Sequence, residues 1–277
     1  MRFRRFGGTA RDVAIIGQGT WRIDERDRKA AIAALHRGVD EGMTHIDTAE
    51  MYGDAELIVA DALAKRRDEL FLVSKVLPSN ASRAGVIKAC ERSLSRLKTD
   101  RLDCYLLHWR GGYPLSETIA AFETLVSAGK ILSWGVSNFD VDDLEEALSI
   151  AGRGRIACNQ VLYHLNERAI EHAVIPWCEA NGVAVVGYSP FGHDDFPGSH
   201  TLGGQTLADI AAARGATPRQ IALAALARHA LVIPKASTPL HAAENAAAGD
   251  LALSEADYHR IAAAFPRGRK PASLPML

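Results

Sequence analysis

The segment THIDTAEMYGDAELIVADALAKRRDELFLVSKV, residues 44–76, decides the fold. It opens and closes with short runs rich in β-branched or aliphatic residues at 44–48 and 70–76, which are typical of strands. Between them, Ala55–Arg67 has apolar residues at helical spacing, and Asp54 precedes it where an N-cap belongs. A strand, a helix and a second strand within about thirty residues form a βαβ unit, so the two strands are predicted to be parallel.

The same alternation recurs along the whole chain, about every 25 to 35 residues. Strands are predicted near 13–20, 44–48, 70–76, 102–108, 131–137, 156–162, 183–189 and 231–235. Helical periodicity is clearest at Arg28–Glu41, Ala55–Arg67, Arg83–Leu97, Leu115–Ala128 and Val141–Ile150. The expected N-caps are Asp54, Ser82, Ser116, Asp140 and Asn166. Parallel strands joined by helices form either a closed barrel or an open doubly wound sheet.

The barrel is the better prediction, because two marks of a doubly wound dehydrogenase are missing from the sequence. No predicted strand opens into a G-x-G-x-x-G turn, and Gly17-Gln18-Gly19, which we interpret as a tight loop, lacks the third glycine. No linker rich in Pro, Gly and Ser divides the 277 residues, a length common among α/β barrels. The predicted fold is therefore α/β, a (β/α)8 TIM barrel, with residues 1–277 in one domain.

Two additions to the barrel are predicted. Residues 3–16 alternate around Gly7-Gly8-Thr9 like a β-hairpin, which is expected to close the bottom of the barrel. Two helical segments, Leu207–Ala213 and Pro218–His229, fall between the seventh and eighth strands. One extra helix is therefore expected before the eighth strand.

Composition and charge argue against several classes of partner. The 32 Lys and Arg residues balance 33 Asp and Glu residues, so no strong field exists to attract nucleic acid or an anionic membrane. Nothing near Met1 resembles a signal peptide and no long apolar stretch occurs, so a cytoplasmic location is expected. The cysteines Cys90, Cys104, Cys158 and Cys178 lie far apart without a CxxC pair, and we expect reduced core thiols and no metal site.

Polar residues near the ends of predicted strands mark the candidate active site, because barrel enzymes carry their catalytic groups at the carboxyl ends of the strands. Asp47, Lys75 and His108 end the second, third and fourth strands, and Tyr52 lies in the loop after Asp47. A structural role is the alternative for each. Asp47 would cap a turn, and Tyr52 would be a half-buried aromatic. Lys75 would be a surface amine, and His108 a polar core group.

These four residue types suit the reduction of a carbonyl group by hydride, which leaves an alkoxide that needs a proton. A tyrosine, with an ordinary pKa near 10, is too weak an acid near neutrality unless a cation stabilises its phenolate. Lys75 would supply that cation, and Asp47 would hold Lys75 charged and oriented. His108 would donate a hydrogen bond to the carbonyl oxygen. We therefore expect Tyr52 to be the proton donor of a reductase.

The motifs around these residues resemble those of the aldo-keto reductase family. They are His45-Ile46-Asp47-Thr48-Ala49-x-x-Tyr52-Gly53, Val73-Ser74-Lys75 and Leu106-Leu107-His108-Trp109. Further motifs in family order at the ends of strands five to eight are Gly135-Val136-Ser137-Asn138-Phe139, Asn159-Gln160-Val161, Tyr188-Ser189-Pro190 and Ile233-Pro234-Lys235. The resemblance implies an NADP(H)-dependent oxidoreductase that reduces aldehydes or ketones to alcohols. Its catalytic tetrad would be Asp47, Tyr52, Lys75 and His108.

The resemblance also implies a cofactor site and a substrate site. The expected cofactor-binding residues are Gly19, Thr20, Trp21, Asp47, Ser137, Asn138, Gln160, Tyr188, Ser189, Pro190, Lys235, Ala236, Ser237, Thr238, His241, Glu244 and Asn245. Among them, Ser137, Asn138 and Gln160 would bind the nicotinamide carboxamide, and Tyr188 would stack on its ring. Taken alone, Asn138 and Gln160 are equally typical of strand-end caps, and Tyr188 of core packing. The expected substrate-binding residues are Trp21, Tyr52, His108 and Trp109.

At the adenosine end, the resemblance implies that Lys235 binds the 2′-phosphate and that the pair Glu244-Asn245 reaches the adenine. Ala236 and His241 stand where family members that prefer NADP(H) usually have Ser and Arg. Two phosphate donors are therefore missing or weakened, since an imidazole is only partly charged near neutrality. NADP(H) is the expected cofactor, and NAD(H) is the alternative.

Two other functions compete with the reductase. A nucleotide-sensing binding module would resemble potassium-channel β subunits, which usually carry extra regions. A metal-dependent barrel hydrolase often has His-x-His at the first strand end, where this chain has Gly-Gln-Gly-Thr-Trp. The short tail after Pro266 suggests an open pocket that accepts many small carbonyl compounds, and a monomer is expected. The loop Phe191–Gln205 either closes over the cofactor or is a solvated connection.

Overall fold

The computed structural model describes residues 1–25 and 27–277. It begins with an antiparallel hairpin of β1 (Phe3–Arg5) and β2 (Asp12–Ala14), as predicted. Eight parallel strands follow in the described residues, and their order in the sheet is their order in the chain. They are β3 (Gln18–Gly19), β4 (His45–Asp47), β5 (Phe71–Val76), β6 (Cys104–Leu107), β7 (Trp134–Ser137), β8 (Ile156–Leu162), β9 (Ala184–Tyr188) and β10 (Leu231–Val232).

Helices connect these strands. They are α1 (Arg28–Asp40), α2 (Ala55–Leu63), α3 (Arg83–Leu97), α4 (Leu115–Ser127), α5 (Val141–Ala151), α6 (Val174–Asn181), α7 (Leu202–Arg214), α8 (Pro218–Leu226), α9 (Pro239–Ala247) and α10 (Glu255–Ala264). Short 3₁₀ helices span Ala64–Glu69, Pro78–Asn80 and Ala169–His172. Both α7 and α8 lie between β9 and β10, which confirms the predicted extra helix. No helix in the described part of the chain is long and apolar enough to cross a membrane.

The first and last barrel strands meet and close the sheet. The Gly17 N–H donates to the Val232 carbonyl at 2.8 Å, and the Val232 N–H donates to the Ile15 carbonyl at 2.9 Å. The Gly19 N–H donates to the Pro234 carbonyl at 3.1 Å. Outside the sheet, α1 packs against both α2 and α9, so the layer of helices also closes on itself. The predicted (β/α)8 barrel is thereby confirmed.

The predicted strand at 13–20 is two elements in the structure, since β2 ends at Ala14 and β3 begins at Gln18. Residues on both sides of the break are buried, so the sequence pattern does not show where the chain leaves the hairpin. Gly19 therefore belongs to a strand, and its interpretation as part of a tight loop is wrong. A Cβ atom on Gly19 would lie 2.6 Å from the Ile233 carbonyl oxygen, so a glycine permits this close strand contact.

The predicted helix starts are correct in part. Ser82 and Asp140 cap α3 and α5 through their side chains. Asp54 occupies the N-cap position of α2 but makes no capping hydrogen bond. Ser116 is wrong because it lies inside α4, and Asn166 is wrong because its side-chain amide donates to a loop carbonyl instead. A capping residue type alone does not place a helix start to within one or two residues.

Apolar side chains fill the bottom of the barrel beneath the candidate site. Phe6, between the two hairpin strands, is fully buried and packs on Phe71 with ring centroids 4.5 Å apart. Val13 joins the same interior cluster, so the hairpin closes the bottom of the barrel as predicted. All four cysteines are buried free thiols, as expected, and Cys104 and Cys158 lie in this cluster.

His45 is a buried polar side chain within this apolar region. Its ring makes edge contacts with Phe6 and Phe71, at centroid distances of 5.9 and 5.6 Å. Neither ring nitrogen has a hydrogen-bond partner among the described residues. Burial lowers the pKa of His45 from 6.5 to about 4, because the charged imidazolium would lose its hydration. The folded protein therefore holds His45 neutral in a pH range where the unfolded chain is protonated.

We expect His45 to make the protein less stable as the pH falls from about 6.5 to about 4. In this window the unfolded state binds a proton that the folded state excludes, so the free energy of unfolding decreases by roughly 3 kcal/mol. Urea unfolding at several pH values would measure the loss. The variant His45→Leu should lose less stability over the same window, and an equal loss in both proteins would contradict the assignment.

Candidate active site

The polar residues near neighbouring strand ends lie together at one end of the barrel. Asp47 is the last residue of β4, and Lys75 is the next to last residue of β5. His108 directly follows β6, and Tyr52 stands in the loop between β4 and α2. Side chains along a strand alternate in direction, and the strands are parallel, so these groups point into the same opening of the barrel.

A buried ion pair joins two of these groups. The Lys75 ammonium donates to the Asp47 carboxylate at 2.5 Å, and the two side chains are 0% and 2% exposed. Lys75 also donates to the Thr48 carbonyl at 2.9 Å. The other oxygen of Asp47 accepts a hydrogen bond from the Gln160 side-chain amide at 2.7 Å. Both charges are therefore held by several partners inside the protein.

The partners of Lys75 keep it charged. Burial by itself lowers the pKa of Lys75, because desolvation disfavours the ammonium ion. The Asp47 carboxylate and the Tyr52 hydroxyl outweigh burial, so the pKa of Lys75 lies above its ordinary value. The amine next to Tyr52 is consequently a fixed positive charge at neutral pH.

Tyr52 lies between this cation and a histidine. Its hydroxyl oxygen accepts a hydrogen bond from Lys75 at 3.2 Å and lies 3.4 Å from Nε2 of His108. Burial raises the pKa of Tyr52, and the nearby Lys75 offsets part of that rise. Tyr52 is thus protonated at neutral pH, and the cation that would stabilise its phenolate is already in contact.

His108 completes the group as a neutral imidazole. Burial, followed by repulsion from Lys75, lowers the pKa of His108 to about 2. Its Nε2 faces the hydroxyl of Tyr52, while Nδ1 has no hydrogen-bond partner among the described residues. An oxygen atom placed beside both Tyr52 and His108 can accept a hydrogen bond from each, provided that Nε2 carries the imidazole proton. The arrangement is suited to an oxygen that gains negative charge and then a proton.

A wall of amide and hydroxyl groups adjoins the four residues. The Ser137 hydroxyl donates to the Gln160 carbonyl at 2.8 Å, and the Tyr188 hydroxyl donates to the Asn138 side-chain oxygen at 2.9 Å. The Asn138 amide in turn donates to the His108 carbonyl at 3.1 Å. These bonds connect the carboxyl ends of β6 to β9, so the wall is a rigid surface with polar and aromatic faces.

Two adjacent cavities open at this end of the barrel. A cleft of about 320 Å³ is lined by Asp47, Tyr52 and Lys235. Its walls include many of the predicted cofactor-binding residues: Gly19, Thr20, Trp21, Asp47, Gln160, Tyr188, Ser189, Pro190 and Lys235. The second cavity, of about 70 Å³, is lined by all the predicted substrate-binding residues and by Ser137 and Asn138. Those substrate-binding residues are Trp21, Tyr52, His108 and Trp109.

The predicted adenosine residues are only partly at the cleft. Lys235 lines it and donates to the Arg22 carbonyl at 3.5 Å. Ala236, Ser237, Thr238, His241, Glu244 and Asn245 are absent from its walls as far as the described residues define them. Thr238 caps α9 by accepting from the His241 N–H. The Glu244 carboxylate accepts from the Thr217 hydroxyl at 2.6 Å. The structure thus brings Lys235 to the cleft and leaves the α9 residues beside it.

Other residues that line the cavities were not predicted as site residues. Leu277 lines the smaller cavity, and its N–H donates to the Tyr188 hydroxyl at 3.4 Å, so the tail covers part of a mouth expected to be open. Met51 also lines this cavity. Its position next to Tyr52 in the sequence could have predicted that. Phe191–Asp194 line the larger cleft, with the His193 ring 5.7 Å from that of Trp21. That part of the loop faces the cleft.

Comparison with known proteins supports this description. Residues 15–265 match the model of the aldo/keto reductase family. The methylglyoxal reductase YeaE of Escherichia coli (strain K12) is 43% identical over 268 residues, which are 95% of this chain and 94% of that protein. The methylglyoxal reductase DkgB of Salmonella typhimurium is 30% identical and is matched over 91% of this chain and 92% of its own length.

Solved structures agree with the sequence comparison. An aldo-keto reductase from Klebsiella pneumoniae in complex with NADPH superposes with a TM-score of 0.92 at 44% identity, covering 100% of this chain and 99% of the other. A Klebsiella pneumoniae aldo/keto reductase in complex with NADP and acetate gives the same TM-score of 0.92 at 43% identity, with 99% of each chain covered. The chain belongs to the aldo/keto reductase family.

Proposed function

We propose that this protein is an NADP(H)-dependent reductase of small aldehydes and ketones, with Tyr52 as the proton donor. The observation that carries the proposal is the single cleft that joins a buried acid–base group to a lysine. One end of the cleft holds Asp47 and Tyr52, and the other holds Lys235. A dinucleotide has this division too, since a reactive ring and a phosphate-bearing adenosine lie at its two ends.

The residues present fit such a cofactor. The amide and hydroxyl wall of Ser137, Asn138 and Gln160 offers donors and acceptors that match a carboxamide. Tyr188 presents an aromatic ring at the cleft. Gly19 and Thr20 line the same cleft. The complexes of the Klebsiella proteins with NADPH and NADP support the same cofactor for this chain.

The mechanism follows from the protonation states of the site. When bound, the reduced nicotinamide supplies a hydride to the carbonyl carbon of the substrate. Tyr52 donates its phenolic proton to the carbonyl oxygen as that oxygen becomes an alkoxide. Lys75 stabilises the phenolate that remains, and Asp47 holds Lys75 in position. His108, being neutral, can orient the same oxygen through an N–H group without repelling Lys75.

The substrate pocket indicates small carbonyl compounds. The pocket is small, with a volume of about 70 Å³. Trp21, Trp109 and Leu277 form its apolar walls. Because two of the relatives are named methylglyoxal reductases, we include methylglyoxal and similar short α-oxoaldehydes among the proposed substrates. The apolar walls exclude water from the reacting oxygen, which strengthens the hydrogen bonds made there.

The competing functions have less support. A hydrolase of the metal-dependent kind needs converging ligands, and within residues 1–25 and 27–277 no group of three or more His, Cys, Asp or Glu side chains is arranged to hold a metal ion. A nucleotide-sensing module would not need the proton-donating arrangement of Tyr52, Lys75 and His108. We also propose that residues 1–277 form one domain, since one hydrophobic cluster extends from Ile15 to Phe265.

Replacing Tyr52 with Phe tests the reductase directly. Tyr52→Phe should lower kcat for NADPH-dependent reduction of methylglyoxal by roughly 10² to 10⁴ while leaving NADPH affinity nearly unchanged, because only the proton donor is lost. The loss of NADPH absorbance would measure the rate. Tyr258→Phe, on α10, is the matched control and should keep full activity. A Tyr52→Phe enzyme with more than about a third of the wild-type kcat would overturn the assignment.

The ion pair should behave as one unit in catalysis. Lys75→Met removes the cation next to Tyr52, and Asp47→Asn releases Lys75 from its orienting partner, so each should lower kcat. The double variant should lose much less than the two single losses combined, because both act through the same contact. Circular dichroism would check that each variant is folded. Losses that simply multiply in kcat would show that the two residues act independently.

Lys235 should determine part of the cofactor preference. A charge-assisted contact with the 2′-phosphate predicts that the wild type binds NADPH about 10 to 100 times more tightly than NADH. Lys235→Met should reduce NADPH affinity and leave NADH affinity unchanged, and Lys98→Met, on the far end of α3, should alter neither. Dissociation constants from tryptophan fluorescence would decide. Equal affinities for both cofactors in the wild type would argue against a phosphate site at Lys235.

A further inference from the structure

The loop that follows β9 forms one wall of the larger cleft and has a defined local structure. The Asp195 carboxylate accepts a hydrogen bond from the His193 N–H at 2.8 Å. Gly192 has a positive φ of 75°, and a Cβ atom there would collide with the Asp195 carboxylate. Asn166 donates to the Asp195 carbonyl at 2.8 Å and ties the loop to the segment after β8. The wall is therefore held by its own hydrogen bonds.

Two phenyl rings in this loop hold an arginine from α8. Phe191 and Phe196 meet edge to face, with ring centroids 5.8 Å apart. The guanidinium carbon of Arg219 lies 4.7 Å from the Phe191 centroid and 4.6 Å from the Phe196 centroid. Both distances are within the range of cation–π attraction. Arg219, the second residue of α8, is thus fixed in place by aromatic contacts.

The N–H groups of Arg219 have no acceptor among residues 1–25 and 27–277. In the part of the chain that the structure describes, no carboxylate or carbonyl oxygen pairs with its side chain, whose recorded contacts are the two rings. Arg22 differs: it lies 4.9 Å from the Trp21 ring but also pairs with Glu25 at 3.5 Å. The N–H donors of a guanidinium lie in the plane of the group. Aromatic rings attract its positive charge but do not take up these donors as a carboxylate does. Donors suited to an anion remain at Arg219.

Arg219 is linked to the larger cleft through Phe191, although Arg219 itself is not part of the cleft wall. Its partner Phe191 shares the cleft wall with Lys235. Two residues before Arg219, the Thr217 hydroxyl donates to the Glu244 carboxylate, and the neighbouring Gln220 amide donates to the Glu244 carbonyl at 3.0 Å. These bonds join the start of α8 to α9. Glu244 lies about one helical turn after His241, which stands where family members that prefer NADP(H) usually have an arginine. Arg219 thus stands at the start of a helix that is bonded to α9 and beside a residue of the cleft wall.

We propose that Arg219 is a cofactor-specificity residue that binds the 2′-phosphate of NADP(H). It supplies the planar, permanently charged fork that His241 does not provide, and it does so from α8 rather than α9. Two phenyl rings already restrict its rotamers, so little side-chain entropy is lost when the phosphate binds. This inference rests on the proposed function, because it takes NADP(H) as the cofactor. Lys235 and Arg219 would then contact the phosphate from two sides.

Dissociation constants of Arg219 variants for NADPH and NADH test the proposal. Arg219→Met should weaken NADPH binding about tenfold or more and leave NADH binding unchanged, because only NADPH carries the 2′-phosphate. Arg219→Lys should be intermediate, since a lysine keeps the charge but not the fork. Adenosine 2′,5′-bisphosphate, which has the phosphate without the nicotinamide, should lose affinity for Arg219→Met by the same factor. Arg228→Met is the control, because Arg228 also lies over an aromatic ring, that of Tyr258, but pairs with Glu255.

The outcomes are distinct. Equal weakening of NADPH and NADH in Arg219→Met would mean that Arg219 only holds the loop, and it would overturn the proposal. Unchanged NADPH affinity would overturn it as well. A wild-type protein that binds neither cofactor would instead refute the proposed function itself. Selective loss of NADPH and of the bisphosphate, with the Arg228→Met control unaffected, is the expected result.

Discussion

The rest of the site depends on the buried ion pair between Lys75 and Asp47. A charge moved alone into a protein interior costs several kcal/mol, so each group requires partners that replace water. Asp47 receives bonds from Lys75 and Gln160. Gln160 stands on β8, four strands from β4 in the sheet, so its bond to Asp47 crosses the mouth of the barrel. The pair therefore has all of these partners only in the folded barrel.

The same pair sets the protonation states around it. Asp47 and Tyr52 keep Lys75 charged in spite of burial, and the charged Lys75 adds to burial in lowering the pKa of His108 to about 2. Burial of Tyr52 raises its pKa, so the phenol keeps its proton until an acceptor arrives. One cation beside one neutral acid and one neutral imidazole is the combination that reduction of a carbonyl needs. It arises from burial and from short distances, not from any unusual residue type.

The two ends of the cleft use different physical interactions. At the barrel mouth, the groups are buried, and hydrogen bonds between strands hold the Asp47–Lys75 pair. At the other end, aromatic rings rather than carboxylates position the guanidinium of Arg219, the group that we propose to bind the 2′-phosphate. A cation held by rings keeps its hydrogen-bond donors, whereas one paired with a carboxylate has used them. Proton transfer at the barrel mouth requires a fixed geometry. Binding of an anion at the other end requires hydrogen-bond donors that can reach it.

The sequence by itself determined the architecture and predicted the four polar residues that meet at the barrel mouth. The period of apolar residues shows where strands and helices alternate, and the polar residue that ends an apolar run shows which side chain enters the mouth, as at Asp47 and His108. Both signals depend on residues close together in the sequence, so they can be recognised without the structure. The tertiary structure decided the rest. It divided residues 13–20 between the hairpin and β3, brought Leu277 to the substrate cavity, and placed Arg219 on Phe191 and Phe196. Such contacts join segments distant in the chain, and no periodic pattern records which segments closure of the barrel will bring together.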